Sequence, residues 1–168
     1  MKTMIVYSSR TGNTETIARA IHQEMPRAEL FPVEEAPSPE GFDLLVLGFW
    51  VDKGTADVAA REYLQRVGTT PTALFATLGA YPDSNHARES MERASEFLSG
   101  APLVGSFVCQ GAVDSKLQNW MESLPPDHPH GPTEERLKRW RDASTHPDGK
   151  DCEAARVWAR GLIREERS

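Results

Sequence analysis

The first 21 residues read "MKTMIVYSSRTGNTETIARAI" (Met1–Ile21), and the seven in the middle, "SSRTGNT" (Ser8–Thr14), decide how the chain is read. Before them runs a short apolar stretch, Met4–Tyr7, with the unbroken pattern of a buried strand. After them Ile17 and Ile21 repeat at helical spacing. The loop therefore joins a strand to a helix N-terminus, where backbone N–H groups lack intrahelical partners and the helix dipole favours an anion. Ser8, Ser9, Thr11 and Thr14 bring hydroxyl donors, Asn13 brings an amide, and Gly12 lets the backbone approach a bound group closely. No acid and no lysine stands among them. These residues offer a cradle of neutral donors.

Outward from this loop the chain alternates. "AELFPV" (Ala28–Val33), "LLVLGFW" (Leu44–Trp50), "ALFATLG" (Ala73–Gly79) and "PLVGSFVCQG" (Pro102–Gly111) read as four further strands. The first of these is edge-like because of its proline. Helical periods lie between and after them: Ala60, Leu64 and Val67; Ala87, Met91, Ala94 and Leu98; Ala154, Trp158 and Leu162. Between the second and third strands "EEAPSPEG" (Glu34–Gly41) puts a loop where a helix would stand. Strands alternating with helices predict an α/β fold, a parallel sheet covered on both faces. Five strands favour the doubly wound order 2-1-3-4-5, in which ligands sit beyond the carboxyl ends of the strands where the order reverses. Ser8–Thr14 falls at that place.

At 168 residues the chain suits one core, and a single domain over 1–168 is expected. The segment 124–150, "LPPDHPHGPTEERLKRWRDASTHPDGK", reads as an insertion with one helical patch around Leu137 and Trp140. It follows a short amphipathic helix carrying Leu117, Trp120, Met121 and Leu124, and it is expected to shape partner docking and to contribute little to ligand binding. A net charge of -6 argues against a nucleic-acid binder. No apolar run is long enough to span or anchor in a membrane. The two cysteines, Cys109 and Cys152, form no disulfide framework and no metal spacing, as expected of a cytoplasmic protein. Cys109 is expected to be a buried, inert thiol. Cys152 opens the last helix, where a dipole can lower a thiol pKa, but no base or second cysteine accompanies it, and it too is read as an ordinary reduced thiol. His128, His130 and His146 are expected to be solvated side chains, not metal ligands.

Other phosphate loops of this placement fail on their residues. There is no G-x-x-x-x-G-K-[ST], no G-x-G-x-x-G, no cysteine nucleophile in the loop and no aspartate closing the third strand. What is present resembles the FMN-phosphate loop of the flavodoxin family, S/T-x-T-G-x-T, matched here by Ser9, Arg10, Thr11, Gly12, Asn13 and Thr14. The resemblance covers Met1 to about Gly111 well and the last helix loosely. Arg10 departs from the small hydroxyl residue often found there, and either pairs with the phosphate or faces solvent.

The resemblance implies FMN as cofactor, with its ring between the loops after the third and fourth strands. In this chain those are Trp50, Val51, Asp52, Lys53 and Gly54, and Thr77, Leu78, Gly79, Ala80 and Tyr81. Tyr81 is expected to stack on the ring; Trp50 either stacks or packs behind it. Lys53–Gly54 is the peptide expected to answer the flavin N5. Asp52, Asp57 and Asp83 are turn formers or helix caps that also set a negative potential near the ring. The implied function is a monomeric electron carrier, taking electrons from a flavoprotein reductase and passing them to an acceptor reductase. "GFWVDKGTAD", "ATLGAYPDSNHA" and "CQG" resemble a subgroup that accompanies bilirubin reductases. The rival reading is an FMN-dependent NAD(P)H:quinone oxidoreductase. It would need a nicotinamide or quinone pocket, for which the sequence shows no motif.

Overall fold

Met4 and Val6 pack on one side of their strand, Ile5 and Tyr7 on the other, and all four are buried. A strand with two apolar faces is stable only between two layers, which the helices supply. The computed structural model describes residues 1–165. In chain order its elements are β1 (Thr3–Tyr7), α1 (Asn13–Glu24), β2 (Glu29–Pro32), β3 (Leu44–Asp52), β4 (Thr55–Ala56), α2 (Val58–Leu64), β5 (Thr72–Leu78), α3 (Asn85–Ser95), β6 (Leu103–Gln110), α4 (Ser115–Glu122), α5 (Glu134–Ala143) and α6 (Gly149–Glu165).

The parallel sheet runs β2-β1-β3-β5-β6, the expected doubly wound order. One addition was not foreseen: β4 pairs antiparallel with the end of β3, Val51 opposite Ala56 and Asp52 opposite Thr55. On one face Met4, Val6, Leu45, Leu47, Phe49 and Leu74 meet Ala60, Tyr63 and Leu64 of α2 and Met91 and Ala94 of α3. On the other, Ile5, Val46, Ala73 and Phe75 meet Ile17 and Ile21 of α1 and Ala155, Ala159 and Leu162 of α6.

β6 departs from the doubly buried reading. No further strand of the path lies beyond it, so Leu103 and Val104 stay 45% and 36% exposed. Further along the strand both sides are packed: the Trp158 ring of α6 stacks on Phe107, centroids 5.7 Å apart, and Val108 packs against the core on the α2 and α3 side. Within 124–150, α5 buries Trp140 and Ala143. No helix among the described residues is long and apolar enough to cross a membrane.

Candidate functional site

β1 hands over to the first loop at Ser8, whose N–H donates to the Gly48 carbonyl at 2.9 Å. The loop folds back on itself where the Gly12 N–H donates to Ser9 Oγ at 3.1 Å. Gly12 sits at φ 99°, a left-handed conformation that a side chain would strain, and it is the N-cap of α1. Having no side chain, it cannot cap. Asp57, Ser84, Asp114 and Thr133 cap α2, α3, α4 and α5 with side-chain oxygens. The first-turn amides of α1 have no such acceptor, so they remain available to an anion. This fits a phosphate group. Thr14, fully buried, places its Oγ1 2.9 Å from Thr77 Oγ1 and so fixes the start of α1 against the end of β5.

The second loop is the tip of the β3–β4 hairpin. Lys53 (φ 50°) and Gly54 (φ 78°) have the paired positive φ of a two-residue turn. The Arg93 guanidinium of α3 donates to the Gly54 carbonyl at 3.2 Å and holds that turn. The third loop follows β5. There Tyr81 Oη donates to Asp142 Oδ2 of α5 at 2.6 Å, and Lys138 Nζ donates to the same oxygen at 2.9 Å. These contacts hold Asp142 below the usual carboxylate range.

Between the loops, at the carboxyl ends of β1, β3 and β5, lies a cavity of about 260 Å³. Ser9, Arg10, Thr11, Asn13 and Thr14 line it from the first loop, Trp50, Val51, Asp52 and Lys53 from the second, and Thr77, Leu78 and Gly79 from the third. Gly12, Gly54, Ala80 and Tyr81 are not in its lining. The Gly12 N–H is turned to Ser9, the Gly54 carbonyl to Arg93, and Tyr81 to α5.

A fourth wall escaped the sequence reading: Gly111, Ala112, Val113, Asp114 and, from α4, Leu117. The Gly111 N–H donates to the Leu78 carbonyl and the Ala112 N–H to the His146 carbonyl, each at 2.8 Å; Asn13 Nδ2 donates to the Ala112 carbonyl at 2.9 Å. One signal was present. "CQGAVDS" (Cys109–Ser115) repeats the order of strand end, Gly-Ala and helix cap seen in "TLGAYPDS".

Charge at the rim is mixed. Arg10 Nε lies 3.3 Å from Asp114 Oδ2, and its guanidinium sits 5.6 Å from the Trp50 ring centroid. Asp52 lines the cavity, whereas Asp83 is exposed in the third loop and Ser84, not Asp83, caps α3. Asp57 lies beneath the site at 3% exposure, accepting from Ser8 Oγ and from the Ala60 N–H. Burial is the main influence on its carboxyl and pushes it up. Burial also pushes up both thiols, Cys109 in β6 and Cys152 in α6. For Cys152, in the first turn of α6, desolvation is the leading cause. His146, Asp148 and Asp151 offer ligand atoms within 4.8 Å of one another. The two carboxylates already accept each other's N–H groups at the start of α6, and His146 Nδ1 lies 2.6 Å from Asp151 Oδ2.

A family model described as a flavodoxin domain matches residues 4–160. The chain belongs to the flavodoxin family. Among the curated relatives of this flavodoxin is the flavodoxin-like domain-containing protein BilS of Clostridioides difficile (strain CD3). The two are 29% identical over 172 residues, covering 97% of each chain. Flavodoxin 2 of Bacillus cereus, in its oxidised crystal form, superposes with a TM-score of 0.62 at 19% identity, covering 98% of this chain and 99% of the other. A flavoprotein of Lactobacillus acidophilus NCFM, solved in complex with FMN, superposes with a TM-score of 0.53 at 17% identity, covering 71% of this chain and 97% of that one. At these identities the superpositions show a shared fold.

Proposed function

We propose that this flavodoxin is an electron carrier with FMN as its cofactor, passing electrons between redox enzymes. The observation that carries this reading is the uncapped N-terminus of α1 beside a cavity that also presents Trp50. The α1 amides with Ser9 and Thr11 hold the phosphate, and Trp50 with the hairpin tip holds the ring. FMN supplies the one- and two-electron chemistry; the protein supplies binding, orientation and local charge. Thr14 can donate to the phosphate only while Thr77 donates to it, so the two hydroxyls act as a short relay.

The donor is a flavoprotein reductase and the acceptor a reductase of the tetrapyrrole or bilirubin class. The wording of "GFWVDKGTAD" and "ATLGAYPDSNHA" supports the acceptor, and the name BilS carried by a relative is in keeping with it. The working form is a cytoplasmic, single-domain monomer.

The test is reconstitution of the apoprotein with FMN and with riboflavin, followed by reduction. FMN binds more tightly by about 3 kcal/mol or more, since each hydrogen bond to a charged group contributes about 1.5–3 kcal/mol. NADPH alone then reduces the FMN form negligibly, and added flavoprotein reductase reduces it quickly. Equal affinity for the two flavins would overturn the phosphate site. NADPH-driven quinone turnover by the protein alone would overturn the carrier.

A further inference from the structure

Tyr81 is the aromatic side chain that the third loop offers to a ring, and it is spent elsewhere. Its hydroxyl is bound to Asp142, and Lys138 Nζ lies 6.0 Å from its ring centroid. It is absent from the cavity lining, while Val113 and Leu117 are present in it. The loop that carries Val113 is held from three sides, by Leu78, His146 and Asn13. Two glycines let it close up. A Cβ on Gly79 would lie 2.5 Å from Val113 Cγ2, and one on Gly111 would lie 2.8 Å from Asn13 Nδ2. Leu117 is 38% exposed on α4, a helix with no buried residue, so it keeps apolar surface at the rim that the protein does not cover.

We infer that the flavin ring is gripped between Trp50 and an aliphatic wall of Val113 and Leu117, and that Tyr81 is a tether fastening the third loop to α5. This rests on the reading that FMN occupies the cavity. One face of the ring then meets an aromatic neighbour and the other meets apolar carbon, which contributes burial without the added attraction between π systems. The segment 124–150 anchors two of the loops: Asp142 holds Tyr81 away from the ring, and the His146 carbonyl holds Ala112.

The test titrates FMN into apoprotein of the wild type and of Tyr81→Phe, Tyr81→Leu, Val113→Ala and Leu117→Gln. Thermal melting is followed for each, and the visible band shape of the bound flavin is recorded. Tyr81→Phe keeps the ring and loses the tether; Tyr81→Leu loses both. Both tyrosine variants should stay within about twofold of the wild-type dissociation constant with an unchanged band shape. Val113→Ala and Leu117→Gln should each weaken binding by roughly three- to tenfold and shift the band. Leu117 is exposed on a helix with no buried residue, so its variant folds even if Val113→Ala does not. Weakening by Tyr81→Leu but not Tyr81→Phe would overturn the inference, because a stacking ring behaves that way. Unchanged affinity in both aliphatic variants would overturn it too. A wild-type protein that binds no FMN would refute the cofactor reading itself, which is a separate result.

Discussion

Ser8 donates its hydroxyl proton to Asp57 Oδ2 at 2.5 Å, joining the end of β1 to the N-cap of α2 directly beneath the first loop. The other carboxylate oxygen, Asp57 Oδ1, is buried without a partner. The carboxyl is therefore raised, with burial as the leading cause and the bonds from Ser8 and Ala60 opposing it.

The consequence for stability has a definite sign. Well below the ordinary aspartate pKa of about 4, folded and unfolded chains both hold the proton and Asp57 adds no pH-dependent penalty. As pH rises, the unfolded chain releases its proton first, so the folded state loses stability until its own raised pKa is passed. Asp57→Asn keeps a capping oxygen and has no charge to desolvate. In urea unfolding across a pH series, Asp57→Asn should gain on the wild type as pH rises through and above the aspartate range, then level off. A wild type that gains on the variant with rising pH would mean that the carboxylate is net stabilised where it stands.

Gly48 pairs with Phe75 across β3 and β5, and a Cβ at Gly48 would lie 2.0 Å from Phe75 Cζ. The ring therefore occupies the space that a side chain at 48 would need. Gly48→Ala should destabilise by about 3 kcal/mol, the upper part of the usual overpacking range. Adding Phe75→Leu should recover part of that loss, although Phe75→Leu alone is destabilising. Chemical denaturation of the two singles and the double closes the cycle. Additive losses would mean that the ring simply moves aside.

Both thiols are raised by burial, and reactivity belongs to the thiolate. Iodoacetamide at neutral pH should modify the folded protein much more slowly than the urea-unfolded chain, with Cys109, at 2% exposure, the last to react. Rapid alkylation of native Cys152, located by peptide mass mapping, would show instead a thiol activated by its place in the first turn of α6.

The expected fold was legible because apolar runs such as Leu44–Phe49 are local signals, readable without knowing their neighbours. The first loop's place at the cavity was legible in the same way, since Ser9, Arg10, Thr11, Asn13 and Thr14 are nearly contiguous and all line it. What escaped was set by partners distant in sequence. The hydroxyl of Tyr81 is bound by Asp142, 61 residues on, a contact that nothing in its own loop announces. Ala112 has an unremarkable side chain, and its place comes from backbone bonds to His146 and Asn13. β4 is two residues long and follows Lys53–Gly54, without the Asn-Gly or Asp-Gly signal that marks such turns. The desolvation of Cys152 likewise comes from the packing around it, which its own position in the sequence does not show.

Arg10 was left by the sequence with two possible partners, phosphate or solvent. The structure gives it a third, Asp114, the capping residue of α4. The pair is open to water on the arginine side, with side-chain exposures of 55% and 18%, and exposed pairs contribute no more than about 1 kcal/mol. While Asp114 neutralises it, Arg10 adds little to anion binding, so Arg10→Gln should change FMN affinity by less than about fivefold. Asp114→Asn keeps an oxygen to cap α4 and frees the guanidinium. That variant should bind FMN more tightly than the wild type at low salt, with the gain disappearing at high salt as screening shortens the reach of the charge. Riboflavin, which carries no phosphate, should show no such gain, and Arg10→Gln combined with Asp114→Asn should cancel it. Titrations of both flavins at two ionic strengths measure this. If Asp114→Asn leaves FMN affinity unchanged at low salt, the freed guanidinium does not reach the phosphate, and Arg10 belongs to the rim of the site alone.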